Sequence, residues 1–156
     1  MSDGPPRFRP FRKDFRWEDV ARLAYKDDGE APFRDVTRQV LFASPDLMGE
    51  LRYFEVGPGG FSSLERHRHV HAVMILRGAG RCLVGTEIRA VSPYDLVTVP
   101  PLTWHQFRAA ADAPLGFLCM VDAERDRPEL PGPDDLAALC ADPAIAAFLR
   151  GEGPDG

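Results

Sequence analysis

Apolar residues between positions 36 and 121 come in short runs broken by turn formers. The runs at 36–42, 49–56, 72–77, 81–84, 87–91, 96–99 and 115–121 have the length of strands. Between them lie Ser44-Pro45-Asp46, Gly57-Pro58-Gly59-Gly60, Gly78-Ala79-Gly80, Gly85-Thr86, Ser92-Pro93 and Pro100-Pro101. Glycine reaches positive φ and proline withholds a ladder donor, so both punctuate strands. Many short strands at regular spacing predict an all-β protein, an antiparallel barrel or sandwich.

The pattern changes at both ends. Residues 1 to 12 carry Pro5, Pro6 and Pro10 and read as an extended arm that packs across a barrel, its own or a partner's. A helical turn is expected over 17–25, capped near Asp14, and a loop over 27–32. Near the other end, Pro133-Asp134-Asp135 before Leu136 and Asp142-Pro143 before Ala144 are two helix starts. The expected organisation is an arm over 1–35, a barrel over 36–125, and an extension over 126–156 whose short helices cap one end of it. A homodimer is expected, with 7–26 or the 36–42 strand at the interface, because open sheet edges need covering.

Composition narrows the function classes. The chain has 156 residues, and its net charge of −5 speaks against a general nucleic-acid binder. The basic-aromatic stretch Arg7-Phe8-Arg9-Pro10-Phe11-Arg12 has no folded binding motif beside it, so no nucleic-acid partner is expected. No apolar run reaches membrane-spanning length, and Arg7, Arg9, Arg12, Lys13 and Arg16 interrupt any leader-like stretch. The expectation is a cytoplasmic protein without a membrane partner. Cys82, Cys119 and Cys140 form no CxxC and read as buried thiols.

All 4 histidines fall between His67 and His105, and His67, His69 and His71 sit within five residues. Neutral imidazole is the commonest nitrogen ligand of divalent metals. Residues two apart on a strand share a face, so Glu65 and His67 can aim at one point, with His71 from a neighbouring strand and His105 from a distant one.

The spacing resembles that of the cupins. Their first motif runs Gly, five residues, His-x-His, three or four residues, Glu, six residues, Gly. Here Gly59 is followed by Glu65, His67, His71 and Gly78 at those intervals, with Glu and His exchanged between two ligand positions. The second motif runs Gly, five residues, Pro-x-Gly, two residues, His, three residues, Asn. Pro100 and His105 match it, whereas Tyr94, Leu102 and Ala109 replace the two Gly and the Asn. The resemblance covers roughly residues 51–121 and is greatest to small bacterial single-domain members. It implies an antiparallel double-stranded β-helix, or jelly-roll barrel, with the short C-terminal helices as a cap. It also implies one divalent transition metal, Mn, Fe, Ni, Co or Zn, held by Glu65, His67, His71 and His105. Only 68–70 leave room for the turn before His71, which places His69 in or beside that turn; a ligand set that includes His69 stays open as the alternative.

Tyr94, Trp104, Gln106, Phe107 and Cys119 are candidates for the pocket around that metal, with Met74 and Phe117 as further lining. Arg77, Arg125 and Arg127 either hold an acidic substrate or pair with surface acids. An open metal position suits a small-molecule enzyme of dioxygenase, isomerase or lyase type. The alternative is a non-catalytic small-molecule-binding, storage or sensor barrel.

Overall fold

A computed structural model of the chain describes residues 8–26 and 31–153. Residues 1–7 of the expected arm and 27–30 of the expected loop lie outside these. The long strands are β4 (Arg34–Phe42), β5 (Gly49–Phe61), β6 (His71–Gly78), β7 (Gly80–Val84), β8 (Glu87–Val91), β9 (Leu96–Val99), β10 (His105–Ala109) and β11 (Leu115–Asp122). Three two-residue strands precede them: β1 (Phe11–Arg12), β2 (Arg16–Trp17) and β3 (Leu23–Ala24). Two helices follow, α1 (Pro133–Cys140) and α2 (Pro143–Leu149).

The main sheet runs β8-β7-β10-β5-β11-β6-β9, with β4 beside β5 and β3 beside β4, and its pairings are antiparallel. It curls into a half-barrel, as an all-β reading requires. Among the described residues no helix is long and apolar enough to cross a membrane.

Alternation along the strands sorts the two faces. Phe117, Cys119 and Val121 on β11 point inward with Phe54 and Val56 on β5 and Val73 and Ile75 on β6, and they form the main core. A second core of Leu64, Leu83, Leu139, Ile145 and Phe148 lies under the helices. Phe148 is fully buried there, worth about 2–3 kcal/mol of apolar transfer. Proline opens both helices. The Asp135 carboxylate accepts from the Gly132 N–H, and Asp142 accepts from Ala144 N–H, each closing an otherwise orphaned donor.

Two expectations are corrected, and one strand is added to those expected. No helical turn forms over 17–25; the segment supplies β2 and β3 instead. Its side chains are held by tertiary contacts: the Phe15 ring stacks on Tyr53 at 5.6 Å and Trp17 meets the same ring at 5.2 Å. The Gly57-Pro58-Gly59-Gly60 stretch does not end its strand, because β5 continues to Phe61 and pairs there with Arg34 and Arg108. Strand β10 has no apolar run to announce it. His105 and Gln106 are as buried as Phe107, and His105 Nδ1 and Gln106 Nε2 each meet a backbone carbonyl, of Thr103 and Ser62.

Tyr94 and Leu102, which stand where the second motif has glycine, both keep positive φ, at 76° and 54°. The left-handed backbone is retained without the residue that suits it, at roughly 1–2 kcal/mol each. Leu102 N–H donates to the His67 carbonyl at 2.7 Å, so this turn braces the histidine segment directly.

Candidate metal centre

His71 opens β6 and His105 opens β10, while His67 lies in the bend between an isolated bridge and β6. That bridge pairs Glu65 with His105 through two backbone hydrogen bonds, of 3.2 and 3.0 Å. One ring nitrogen from each of His67, His71 and His105 lies within 4.8 Å of the others.

The outer ring nitrogens are tied down. His67 Nδ1 lies 2.7 Å from the His69 carbonyl and His105 Nδ1 lies 2.9 Å from the Thr103 carbonyl. A carbonyl only accepts, so both Nδ1 atoms carry the proton and both Nε2 atoms present a lone pair. His71 Nδ1 contacts Cys119 Sγ at 3.4 Å, and its Nε2 is buried without any partner. An orphaned buried nitrogen beside two lone pairs is what a cation would satisfy, so these residues fit a divalent metal. Burial lowers the pKa of His67 to about 4, reinforced by the other histidines, and it lowers those of His71 and His105 as well. All three are neutral near pH 7, the form that ligates.

Glu65 lines the same cavity but is not in the three-nitrogen group. Its Oε2 accepts from Ser63 Oγ at 2.8 Å and pairs with Lys26 Nζ. Tyr25 O–H in turn meets Ser63 Oγ at 3.0 Å. The His69 ring stacks flat on His67, centroids 3.7 Å apart, and its Nδ1 is bound by Asp126 Oδ1 at 2.8 Å. Asp126 also accepts from the backbone N–H groups of Arg68 and His69, which hold its carboxyl well below the usual range. One carboxylate thus fixes the bend that carries His67. Asp126→Ala is expected to weaken Zn²⁺ or Mn²⁺ binding about 10–100-fold, as loss of outer support typically does. Metal titration of the stripped variant measures it, and unchanged affinity would show that the bend holds itself.

The cavity has a volume of about 260 Å³. Phe54, Phe117 and Phe107 stack along one wall with centroids 5.7 and 4.5 Å apart. Phe107, Phe117 and Cys119 line it as their inward parity predicts, but Tyr94, Trp104 and Gln106 lie elsewhere. Tyr94 is 78% exposed on its turn. Trp104, in the stretch just before β10, packs against the second core with Arg66 over its face. Gln106 bonds the Ser62 carbonyl and accepts from Arg108, which uses up its amide. Met74 has outward parity beside inward Val73 and Ile75, and Arg77 pairs with Glu55 away from the cavity.

The lining also includes Lys26, Arg38, Arg52 and Asp126, which sequence reasoning passed over. A signal existed for two of them. Arg52 shares the parity of buried Phe54 and Val56, and Arg38 that of buried Val36: cations on the apolar face of a strand.

A curled antiparallel barrel that aims several neutral imidazoles into its own cavity defines a class, the small-molecule barrels with a candidate metal site. The chain belongs to the cupin family: the cupin domain model matches residues 52–121, and longer matches agree. Over 144 residues it is 65% identical to a Rhodospirillum rubrum protein named 1-methylthio-D-xylulose 5-phosphate methylsulfurylase, covering 92% of each chain. A cupin 2 conserved barrel domain protein from Rhodopseudomonas palustris is 59% identical, with a TM-score of 0.86 over 90% of this chain and 97% of that one. A cupin-2 domain structure from Rhodospirillum rubrum is 64% identical, with a TM-score of 0.84 over 92% and 97% of the two chains. A 5-nitrosalicylic acid 1,2-dioxygenase from Bradyrhizobium is 26% identical over 110 residues, 63% of this chain and 53% of that protein.

Proposed function

We propose that this protein is a metal-dependent enzyme acting on a methylthio pentulose phosphate, as the name of its Rhodospirillum rubrum relative describes. The observation that carries the reading is that relative's 65% identity across 92% of both chains. The chemistry of the cavity agrees with it. His67, His71 and His105 hold the metal, and Glu65 completes the set when its contact with Lys26 yields. A divalent ion there supplies Lewis-acid polarisation of a substrate ketone oxygen. The phenylalanine wall and the Cys119 sulfur offer a soft, apolar surface to a methylthio group, since divalent sulfur packs well on aromatic rings.

A dioxygenase reading rests on a relative of which this chain spans about half, and no residue of the cavity favours it specifically. The test is direct. Protein loaded in turn with Mn²⁺, Fe²⁺, Ni²⁺, Co²⁺ and Zn²⁺ is incubated with 1-methylthio-D-xylulose 5-phosphate and thiol reductant, and the sugar phosphate is followed by ³¹P NMR and mass spectrometry. Loss of the methylthio group with at least one metal, and none in the stripped protein, is the expected result. An unaltered substrate with all five ions would sink the proposal.

A further inference from the structure

Among the described residues, the cavity holds more positive charge than its carboxylates account for. Lys26 is neutralised by Glu65 and Arg125 by Glu50. Asp126 is taken by the histidine bend. Arg52 and Arg38 have no carboxylate partner among the described residues. The Arg52 Nε is buried with no partner at all, and its NH2 has only the Cys119 sulfur, at 3.8 Å. Arg38 spends its Nε on the Ala24 carbonyl, which leaves the far edge of its guanidinium unclaimed.

Register puts the two side by side. Arg38 stands opposite Phe54 and Arg52 opposite Val40, so they are diagonal neighbours on the inward face of β4 and β5. The Arg52 guanidinium lies 4.9 Å over the Phe54 ring, a cation–π contact that helps to hold it on this wall. Two guanidinium groups held close together repel unless an anion sits between them. A desolvated Nε–H without an acceptor carries a cost that the same anion would remove.

We propose that Arg52 and Arg38 form the seat for the phosphate of the substrate. This rests on the methylthio sugar phosphate reading and sets how that substrate lies. Planar, forked donors match a phosphate monoester dianion better than a single carboxylate, and two of them match its charge. The distance also suits. Arg52 is on β5, with β11 between it and the His71 strand, and two strand spacings are about 10 Å between backbones. Once side chains reach inward from both, the gap is one that a five-carbon chain crosses between its ketone oxygen and its terminal phosphate. The phosphate therefore sits at the β4–β5 wall over Phe54, and the thioether end points past Cys119, which touches both Arg52 and His71, to the histidines and the Phe107 and Phe117 rings.

The test compares D-xylulose 5-phosphate with D-xylulose by calorimetry on the metal-loaded protein, with inorganic phosphate as competitor. Wild type is expected to bind the phosphate ester at least roughly 30-fold more tightly than the free sugar, the scale for a desolvated charge pair. Arg52→Gln is expected to erase most of that gap, and Arg38→Gln to reduce it, while Arg89→Gln on the exposed face leaves it intact. Inorganic phosphate should displace the ester from wild type. Melting curves without ligand show whether Arg52→Gln has folded, and Arg38→Gln supplies an independent reading if it has not. An equal gap in both folded variants overturns the seat, as does salicylate displacing the ester where phosphate does not. If the gap depends on Arg52 but the methylthio sugar phosphate is never turned over, the seat stands and the reaction reading falls. If turnover proceeds and the gap ignores both arginines, the reaction stands and the seat falls.

Discussion

Replacing His67 and His105 together by alanine is expected to abolish metal binding while His69→Ala keeps most of it. The two outer nitrogens of His67 and His105 are already committed to carbonyls, so each contributes one lone pair. Removing both leaves His71 with only the Glu65 carboxylate, itself tied to Lys26 and Ser63, and one imidazole with one engaged carboxylate does not hold a divalent ion against water and buffer. His69 differs although it sits in the same run. Its Nδ1 belongs to Asp126, and its ring stacks on His67 at 3.7 Å, so it supports a ligand. Losing such support costs about 10–100-fold in affinity. Elemental analysis of protein purified from metal-supplemented cultures measures the outcome, with circular dichroism to confirm folding. The double variant should carry essentially no ion, and His69→Ala close to the wild-type amount when metal is in excess. Metal retained in the folded double variant would place the site elsewhere.

Gly78→Ala is expected to destabilise the fold by about 3–5 kcal/mol, well beyond Gly59→Ala at about 1 kcal/mol. Both glycines stand at the spacings of the same histidine motif, and both have positive φ, at 78° and 71°. They differ in what surrounds them. A Cβ on Gly59 would meet nothing within 4 Å, so only the left-handed backbone is penalised. A Cβ on Gly78 would lie 1.6 Å from the Pro114 carbonyl oxygen and 2.8 Å from its carbon. Those atoms belong to backbone that also accepts from Ala79 N–H and leads into β11, so they cannot swing aside as a side chain does. The end of β6 and the start of β11 must separate, and the register that brings Cys119 beside His71 goes with them. At roughly 2–4 °C per kcal/mol for a chain of this size, melting should fall by about 6–20 °C in Gly78→Ala and a few degrees in Gly59→Ala. Equal shifts would mean that the close approach to Pro114 carries no weight.

Much of this protein was legible before any coordinates. Inward parity is a local property of a strand, so the alternation of Phe117, Cys119 and Val121 and the runs between turn formers indicated an antiparallel barrel. The resemblance to the cupin motifs implied that His67, His71 and His105 would meet around one metal, with His69 left open as an alternative ligand because the register of the turn before His71 was not fixed by the pattern. What lay beyond local pattern was decided by tertiary structure. Trp104 and Tyr94 neighbour motif residues in sequence, yet one belongs to the helix-covered core and the other to solvent. The 17–25 segment became strand because its rings found Tyr53 and its backbone found β4, contacts no local propensity encodes. Asp126 reaches His69 across 57 positions, and Ser62 claims Gln106 across 44. Pairings at such separations exist only once the barrel has curled and paid its loop-closure entropy, and no periodicity in the chain records them. For that reason the direction of each histidine nitrogen, the uncompensated charge of Arg38 and Arg52, and the support under His67 became visible only when the strands were set side by side.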